Sequence, residues 1–132
     1  MTQATKSVLY KDFDLNLRTH PATGNLIIKK NNDAVKQGVR NVILTNKYER
    51  PYRPDFGSDI RKRLFELFGR ATEMDVENDI ENAFANEIKR AELIKTTVMA
   101  NPDGNSLRVN IVYRPFNAKQ SIETTLILER AR

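Results

Sequence analysis

The last forty residues repeat their apolar side chains at every second position, and this period constrains the fold more than any other feature. One alternating run spans 107–113, and another spans 122–128 after a loop at 115–120. Residues 93–100 precede an Asn-Pro-Asp-Gly turn. A period of two is typical of strands with one buried face. The pattern therefore predicts three strands joined as an antiparallel meander.

Upstream of these strands, the apolar spacing changes to that of helices. Asn32 or Asp33 is suited to cap a helix over 34–44, because their side chains accept bonds from first-turn amides. Gly38 weakens this helix and predicts a close neighbour at that point. The expected buried face consists of Val35, Val39, Val42 and Ile43.

Two further helices are expected before the sheet. The first is capped by Ser58 and ended by Gly69. Its predicted buried stripe is Ile60, Leu64, Leu67 and Phe68. In the second, Thr72 and Asp75 resemble a capping box, and the helix is expected to run to about residue 90 with basic residues at its end.

These elements predict an α+β fold, with a three-stranded antiparallel meander at the C-terminal end packed against about three helices. We expect a single domain over 1–132, because 132 residues suit one core. Its parts would be an extended arm at 1–31, a helical part at 32–92 and a sheet at 93–129. The sequence has neither a run of 18 apolar residues nor a secretory signal, so we expect no membrane partner.

The segment 45–57 is expected to be a loop, because Pro51 and Pro54 lack the amide hydrogen that a helix needs. Its aromatic residues are expected to pack onto the core: Tyr48, Tyr52 and Phe56. With 22 basic and 17 acidic residues the chain carries +5, and the basic stretch 47–53 could bind a nucleic-acid strand. We favour the structural role for this loop and expect no nucleic-acid partner.

Few residues in the chain could support catalysis. There is no cysteine and only one histidine, His20, which excludes thiolate chemistry and argues against a histidine-based triad. A glycosidase pair could combine Glu66 with Asp55 or Asp59. Simpler roles suit these residues, namely a turn, a helix start and a solvated helix position. We therefore expect no catalytic residue, no metal and no cofactor.

The string from Arg50 to Phe68 resembles the signature of the small baseplate wedge proteins of contractile-tailed phages, which also occur in type VI secretion baseplates and related injection systems. In that family an arginine-proline-aromatic loop leads through Phe-Gly to a helix ending in Leu-Phe-Glu. The matching residues are Arg50, Pro51, Tyr52, Pro54, Phe56, Gly57, Leu64, Phe65 and Glu66. The order of elements is similar from about residue 8 to 129.

One motif of the family is altered here. A Glu-Pro-Arg triplet usually ends the long helix, and this chain has Ile88-Lys89-Arg90, with Glu87 as a substitute acid. In the family the triplet is tied to docking on the helical core bundle of larger wedge scaffold proteins. The resemblance therefore implies a scaffold-binding site at Glu87, Lys89 and Arg90.

The resemblance also implies a structural protein of the virion tail baseplate, assembled in the host cytoplasm, which starts polymerisation of the tail sheath by strand addition. The implied partners are the wedge scaffold and sheath proteins, with tail tube or hub proteins as further neighbours. Some members have been described as lysozyme-like, so a tail glycosidase is one alternative function and a nucleic-acid-binding module is another. The candidate sheath-binding edge is the last strand, with Ile122, Thr124, Thr125, Leu126 and Leu128.

Overall fold

The structure, a computed structural model, describes residues 10–116 and 118–130. Five strands and three helices follow one another within these ranges. In chain order they are β1 (Lys11–Phe13), β2 (Ile28–Lys30), α1 (Asn32–Leu44), α2 (Ile60–Arg63), α3 (Arg70–Glu87), β3 (Ala91–Asn101), β4 (Ser106–Pro115) and β5 (Ile122–Glu129). The predicted α+β fold is confirmed.

The C-terminal sheet is the predicted antiparallel meander, in the order β3-β4-β5. Its register places Ile111 opposite Thr124 and Val98 opposite Val109, with a shift between Leu93 and Lys95. The predicted alternation is confirmed, because one face of β4 is fully buried: Leu107, Val109, Ile111 and Tyr113.

The helices cover this buried face. The predicted apolar face of α1 is confirmed. Phe84 of α3 packs against Tyr113 of β4, with ring centroids 5.9 Å apart. Burial raises the pKa of the Tyr113 hydroxyl, although its hydrogen bond with Thr124 acts in the opposite direction. One core therefore joins helices and sheet, and its largest fully buried aliphatic residues are Ile43, Ile60, Ile80, Leu107 and Ile111.

The helix predicted from Ser58 to Gly69 is wrong in length. The segment is helical only over Ile60–Arg63 and continues as turns, leaving Leu67 94% exposed. The guanidinium of Arg130 donates to the carbonyls of Leu64 (2.5 Å) and Glu66 (2.9 Å). These carbonyls would accept helical bonds if the helix continued. A distant residue therefore competes with the local pattern.

The three predicted capping features in this region, at Ser58, Gly69 and Thr72, are wrong. The Ser58 hydroxyl donates to the carbonyl of Ile43 (2.6 Å) instead of capping α2. Gly69 is the N-cap of α3 instead of the end of a helix. Thr72 lies inside α3 and donates to the carbonyl of Leu67 (2.6 Å), so the predicted capping box does not form. The helix ends at Glu87 rather than near residue 90.

Two further expectations about packing are wrong. Phe56 is buried, whereas Tyr48 and Tyr52 are 75% and 97% exposed, because the loop turns both tyrosines outward. Gly38 has no close neighbour within the chain, since a Cβ built there meets nothing within 4 Å.

The described part of the predicted extended arm, from residue 10 onward, folds back on itself, and residues 1–9 lie outside the described part of the chain. β1 and β2 pair as a small antiparallel ribbon ahead of α1. Asp14 lies buried beneath it, 2.7 Å from Arg18 and 3.7 Å from Lys29. The hydrogen bond from Arg18 is the main cause that lowers the pKa of the Asp14 carboxyl, and burial opposes it.

Candidate functional site

The Arg-Pro-Tyr loop is organised around Phe56. The guanidinium carbons of Arg50 and Arg53 lie 4.0 and 5.2 Å from the centre of its ring. Gly57 follows with φ of +110°, and a Cβ built there would lie 2.3 Å from the carbonyl oxygen of Thr45. The glycine of the motif is therefore required by the close approach of two backbone segments, and the phenylalanine supplies the ring on which the two arginines lie.

An ion pair joins this loop to the end of α3. Arg53 donates to Glu87 (2.8 Å), whose side chain is only 11% exposed. The predicted loop motif and the predicted scaffold-binding residues are thus brought together, although 34 positions separate the two residues of the pair.

The other two scaffold-binding candidates follow α3. Lys89 donates to the carbonyl of Ala85 (2.8 Å), as expected of a basic residue at a helix end. Arg90 lies three positions beyond the helix, and its guanidinium carbon is 5.2 Å from the ring centre of Tyr10. Arg90 does not act as a helix cap, and its side chain is exposed.

These residues border a groove beside α1, which we call the α1 groove. It has a volume of about 400 Å³. Its floor is apolar and its rim is charged. The floor contains Val35, Gly38, Val39, Val42, Phe56 and Ile88, and the rim contains Asp12, Arg50, Glu87, Lys89 and Arg90.

The Leu-Phe-Glu part of the motif lies at α2 and beyond it. Leu64 is buried and Phe65 is 72% exposed. Arg63 bonds Asp79 of α3 and Glu66 at 3.0 Å each, and the bond to Asp79 is the main cause that raises the pKa of the Arg63 guanidinium. The motif therefore fixes α2 against α3 and leaves one large aromatic ring on the surface.

β5 lies at an edge of the sheet, since among the described residues it pairs only with β4. The amide of Arg130 donates to the carbonyl of Asn105 (2.9 Å), one position beyond the pair formed by Ser106 and Glu129. Residues of an antiparallel ladder bond alternately toward the partner strand and away from it. Thr124 therefore bonds β4, whereas Thr125 directs its N–H and C=O outward.

The predicted edge residues thus fall into two groups. Thr125 directs its backbone groups outward, as do Glu123, Ile127 and Glu129, which were not among the predicted residues. The other predicted residues bond β4 and turn their side chains toward the core: Ile122, Thr124, Leu126 and Leu128.

The opposite edge, β3, differs because α3 covers part of it. Phe116, directly after β4, donates its amide to the carbonyl of Arg90, directly before β3, so the even-numbered residues of β4 bond β3 and Leu107 bonds β5 instead. Ala100 lies opposite Leu107, so its amide is directed away from β4. The carboxylate of Glu73 in α3 accepts that amide hydrogen (2.9 Å). The strand also carries an irregularity between Leu93 and Lys95, a feature that limits pairing at an edge.

The carboxylates considered for a glycosidase do not form one site. Asp55 and Asp59 line a cleft of about 480 Å³, and Glu66 lies outside that cleft. Lys62 is 3.1 Å from Asp59, and Arg63 is 3.0 Å from Glu66. The acid of a glycosidase pair lies in an apolar setting instead.

Most of the basic side chains of the loop already pair with acids of the same chain. Lys47 pairs with Asp59 (3.7 Å) and Arg53 with Glu87 (2.8 Å), so two of the three basic residues in 47–53 are engaged in ion pairs and offer little free charge to nucleic acid. Lys62 lies 5.8 Å from the ring centre of Tyr48, although that ring remains exposed.

Within residues 10–116 and 118–130, no group of three or more metal-ligating side chains comes together. Among the same residues, no helix has the length and apolar character needed to cross a membrane.

Sequence reasoning missed three residues that shape these surfaces. Glu73 and Arg130 act across 27 and 64 or more positions, and no local pattern marks them. Arg53 lies inside the recognised string but was not among the matched residues. The signal for the α1 groove was Gly38, a glycine in the middle of an otherwise regular helix.

Three comparisons bear on the fold. The chain is similar to a tail lysozyme described from Geobacter sulfurreducens, with a TM-score of 0.65, 25% identity, and coverage of 74% of this chain and 89% of that one. It is similar in fold to a chain of the anti-feeding prophage baseplate, with a TM-score of 0.63, 19% identity, and coverage of 89% and 83%. A chain of the postcontracted pyocin R2 baseplate has a TM-score of 0.54 and 16% identity, with coverage of 86% and 98%.

No protein-family profile matches the chain. A curated relative does: the baseplate wedge protein gp25 of Enterobacteria phage T4 is 31% identical over 90 residues, which are 68% of each chain. This agrees with the resemblance carried by the loop motif and with the order of elements. The protein therefore belongs to the family of the baseplate wedge protein gp25, a family of contractile-tail baseplate components.

Proposed function

We propose that this protein is a non-enzymatic wedge subunit of a virion tail baseplate, which docks on larger wedge scaffold proteins and starts the tail sheath by strand addition at β5. The observation that carries the proposal is the difference between the two edges of the sheet. The outward groups of β5 have no strand beside them among the described residues, whereas Glu73 of α3 occupies the β3 edge at Ala100.

An incoming sheath strand would find a regular row of donors and acceptors on β5. Every second residue from Glu123 to Glu129 directs its N–H and C=O outward, and their side chains lie on the exposed face of the sheet. Added strands gain affinity from such main-chain bonds and specificity from alternate side chains. The register of β5 with β4 runs without interruption, so no bulge disturbs this edge over its eight residues.

The test of strand addition is Thr125→Pro. Proline at this position removes one outward donor and no bond to β4, so the variant should fold. We expect it to join the wedge and to fail to start sheath assembly, as measured by electron microscopy of tails assembled with the variant. Thr125→Val, which keeps the backbone donor, is the matched control and should assemble normally. Normal sheath growth on Thr125→Pro baseplates would contradict docking at this edge.

The scaffold contact is assigned to Arg90, with Glu87 and Lys89 beside it. Arg90 is exposed and has no carboxylate within ion-pair distance among the described residues. Its contact with Tyr10 is with an aromatic ring, which leaves the charge available. Glu87 is held by Arg53, so this acid positions the loop beside Arg90.

Arg90→Glu tests this contact. We expect the variant to keep its circular dichroism spectrum and to lose at least tenfold in affinity for the co-expressed wedge scaffold proteins. Arg61→Glu, an exposed charge reversal on α2, is the control and should bind normally. Wild-type incorporation of Arg90→Glu into baseplates would contradict the assignment.

A tail glycosidase is the second candidate, because a structural neighbour is described as a tail lysozyme. The separation of Glu66 from the cleft of Asp55 and Asp59 weighs against it. Clearing of a peptidoglycan suspension by the purified protein, lost in Glu66→Gln with the fold intact, would favour the enzyme.

A further inference from the structure

Gly38 lies in the middle of α1, and no contact within the described chain explains why this position is a glycine. A glycine in a helix interior is unfavourable relative to alanine because it loses more backbone freedom on folding. Gly38 does not have a positive φ, in contrast to Gly24 and Gly57. A Cβ built at Gly38 meets nothing within 4 Å, so no neighbouring group excludes a side chain. Neither backbone conformation nor internal packing therefore requires glycine here.

The space beside Gly38 is the α1 groove. Val35 and Val39 from α1, Phe56 from the loop and Ile88 after α3 make its floor. Because glycine has no side chain, the backbone of α1 is the surface of the groove at this point. Another backbone can approach α1 more closely at Gly38 than at any position that carries a side chain.

The charges around the groove indicate the chemistry of its occupant. Glu87 of the rim pairs with Arg53, whereas Asp12 accepts a bond from the neutral amide of Gln37 (3.0 Å) and keeps its negative charge. Among the described residues, one acid without an ion pair therefore remains on the rim beside three basic residues. Arg50 and Arg90 rest on aromatic rings and make no ion pair with a described residue. The free charge of the rim is therefore positive, which favours a partner with acidic side chains.

We propose that a helix of the wedge scaffold, with small residues on one face and acidic residues beside them, crosses α1 at Gly38 and contacts Arg50 and Arg90. This inference rests on the proposed scaffold docking and identifies the surface that does it. A groove along a helix accepts the side-chain ridge of a second helix, and the absence of a side chain at the crossing shortens the distance between the axes. A second copy of this chain suits the groove less well, since each copy carries +5.

The test is a pair of substitutions at Gly38 with opposite effects on folding and binding. Gly38→Ala should raise the Tm by about 3–5 °C, because alanine favours the helix and has room. It should also lower the affinity for the co-expressed wedge scaffold at least tenfold, and Gly38→Leu should lower it further. Ala71→Leu, which enlarges an exposed position of α3, is the matched control and should leave that affinity unchanged.

The outcomes separate this inference from the proposed function. Loss of scaffold binding in Arg90→Glu together with wild-type binding in Gly38→Leu would overturn the groove and leave scaffold docking in place. Wild-type binding in both variants would overturn both. A homodimer that Gly38→Leu dissociates would show that a second copy occupies the groove, and it would equally overturn the inference.

Discussion

The two edges of the C-terminal sheet differ in what covers them. At the β3 edge, Glu73 of α3 takes the outward amide of Ala100, and the register shifts between Leu93 and Lys95. At the β5 edge, the register is regular from Ile122 to the end of the strand, and its outward groups face no other described strand. One sheet thus has a protected edge and an available edge.

This difference has a physical meaning, because an exposed edge is a template for unwanted pairing and proteins usually protect it. The protection of β3 supports the proposal that strand addition takes place at β5. The C-terminal end of β5 is also anchored, since the side chain of Arg130 bonds the carbonyls of Leu64 and Glu66. A fixed strand loses little freedom when another strand pairs with it, which favours docking.

The largest expected effect comes from placing proline at Thr124, where the lost amide bonds β4, instead of at Thr125, where the lost amide points outward. Thr124→Pro removes an amide that bonds β4 and disturbs a buried side chain, so we expect the free energy of unfolding to fall by about 3 kcal/mol or more. Urea denaturation should then show a large gap between Thr124→Pro and Thr125→Pro. Equal stability of the two variants would contradict the assigned alternation of the ladder.

A smaller effect should follow from opening the β3 edge. Glu73→Ala leaves the outward amide of Ala100 without its acceptor, and we expect a loss of about 1–2 kcal/mol in the free energy of unfolding. The amide hydrogen of Ala100 should exchange faster with solvent, as measured by NMR. Arg70→Ala removes only the exposed ion pair of Glu73 and should cost less than about 0.5 kcal/mol. Unchanged exchange at Ala100 in Glu73→Ala would show that β3 is protected by other means.

The sheet and the helical faces could be predicted from the sequence because they rest on local periodicity. The alternation from Leu107 to Tyr113 predicts one buried face of a strand, and the spacing in α1 predicts one buried face of a helix. Both faces are buried in the structure. The family could be recognised because its motif contains residues with special requirements, such as Gly57, whose positive φ and close approach to Thr45 leave no room for a Cβ.

The errors arise where distant groups override local preference. The helix expected to reach Gly69 is cut short beside the guanidinium of Arg130, and its expected apolar stripe leaves Leu67 in solvent. The protection of β3 by Glu73 depends on how α3 lies against the sheet. Single-sequence patterns contain no information about such pairings, so the free edge could be named only as a candidate.

The smallest expected effect on stability concerns Asp14 in the N-terminal arm, which lies close to β5. Asp14 lines a groove that also includes Thr124 of β5, and it pairs with Arg18 and Lys29. Because its folded pKa lies below the ordinary value of 3.8, folding favours the charged form. The contribution of Asp14 to stability is therefore present above about pH 4 and is lost as the pH falls through the folded pKa.

We expect Asp14→Asn to be less stable than the wild type at pH 7 and to lose less stability between pH 5 and 2. Urea titrations at each pH measure both quantities, and Asp103→Asn, in the exposed β3-β4 turn, is the control. A slope in Asp14→Asn equal to that of the wild type would mean that the acid response arises elsewhere, and that the arm beside β5 is not held by this carboxylate.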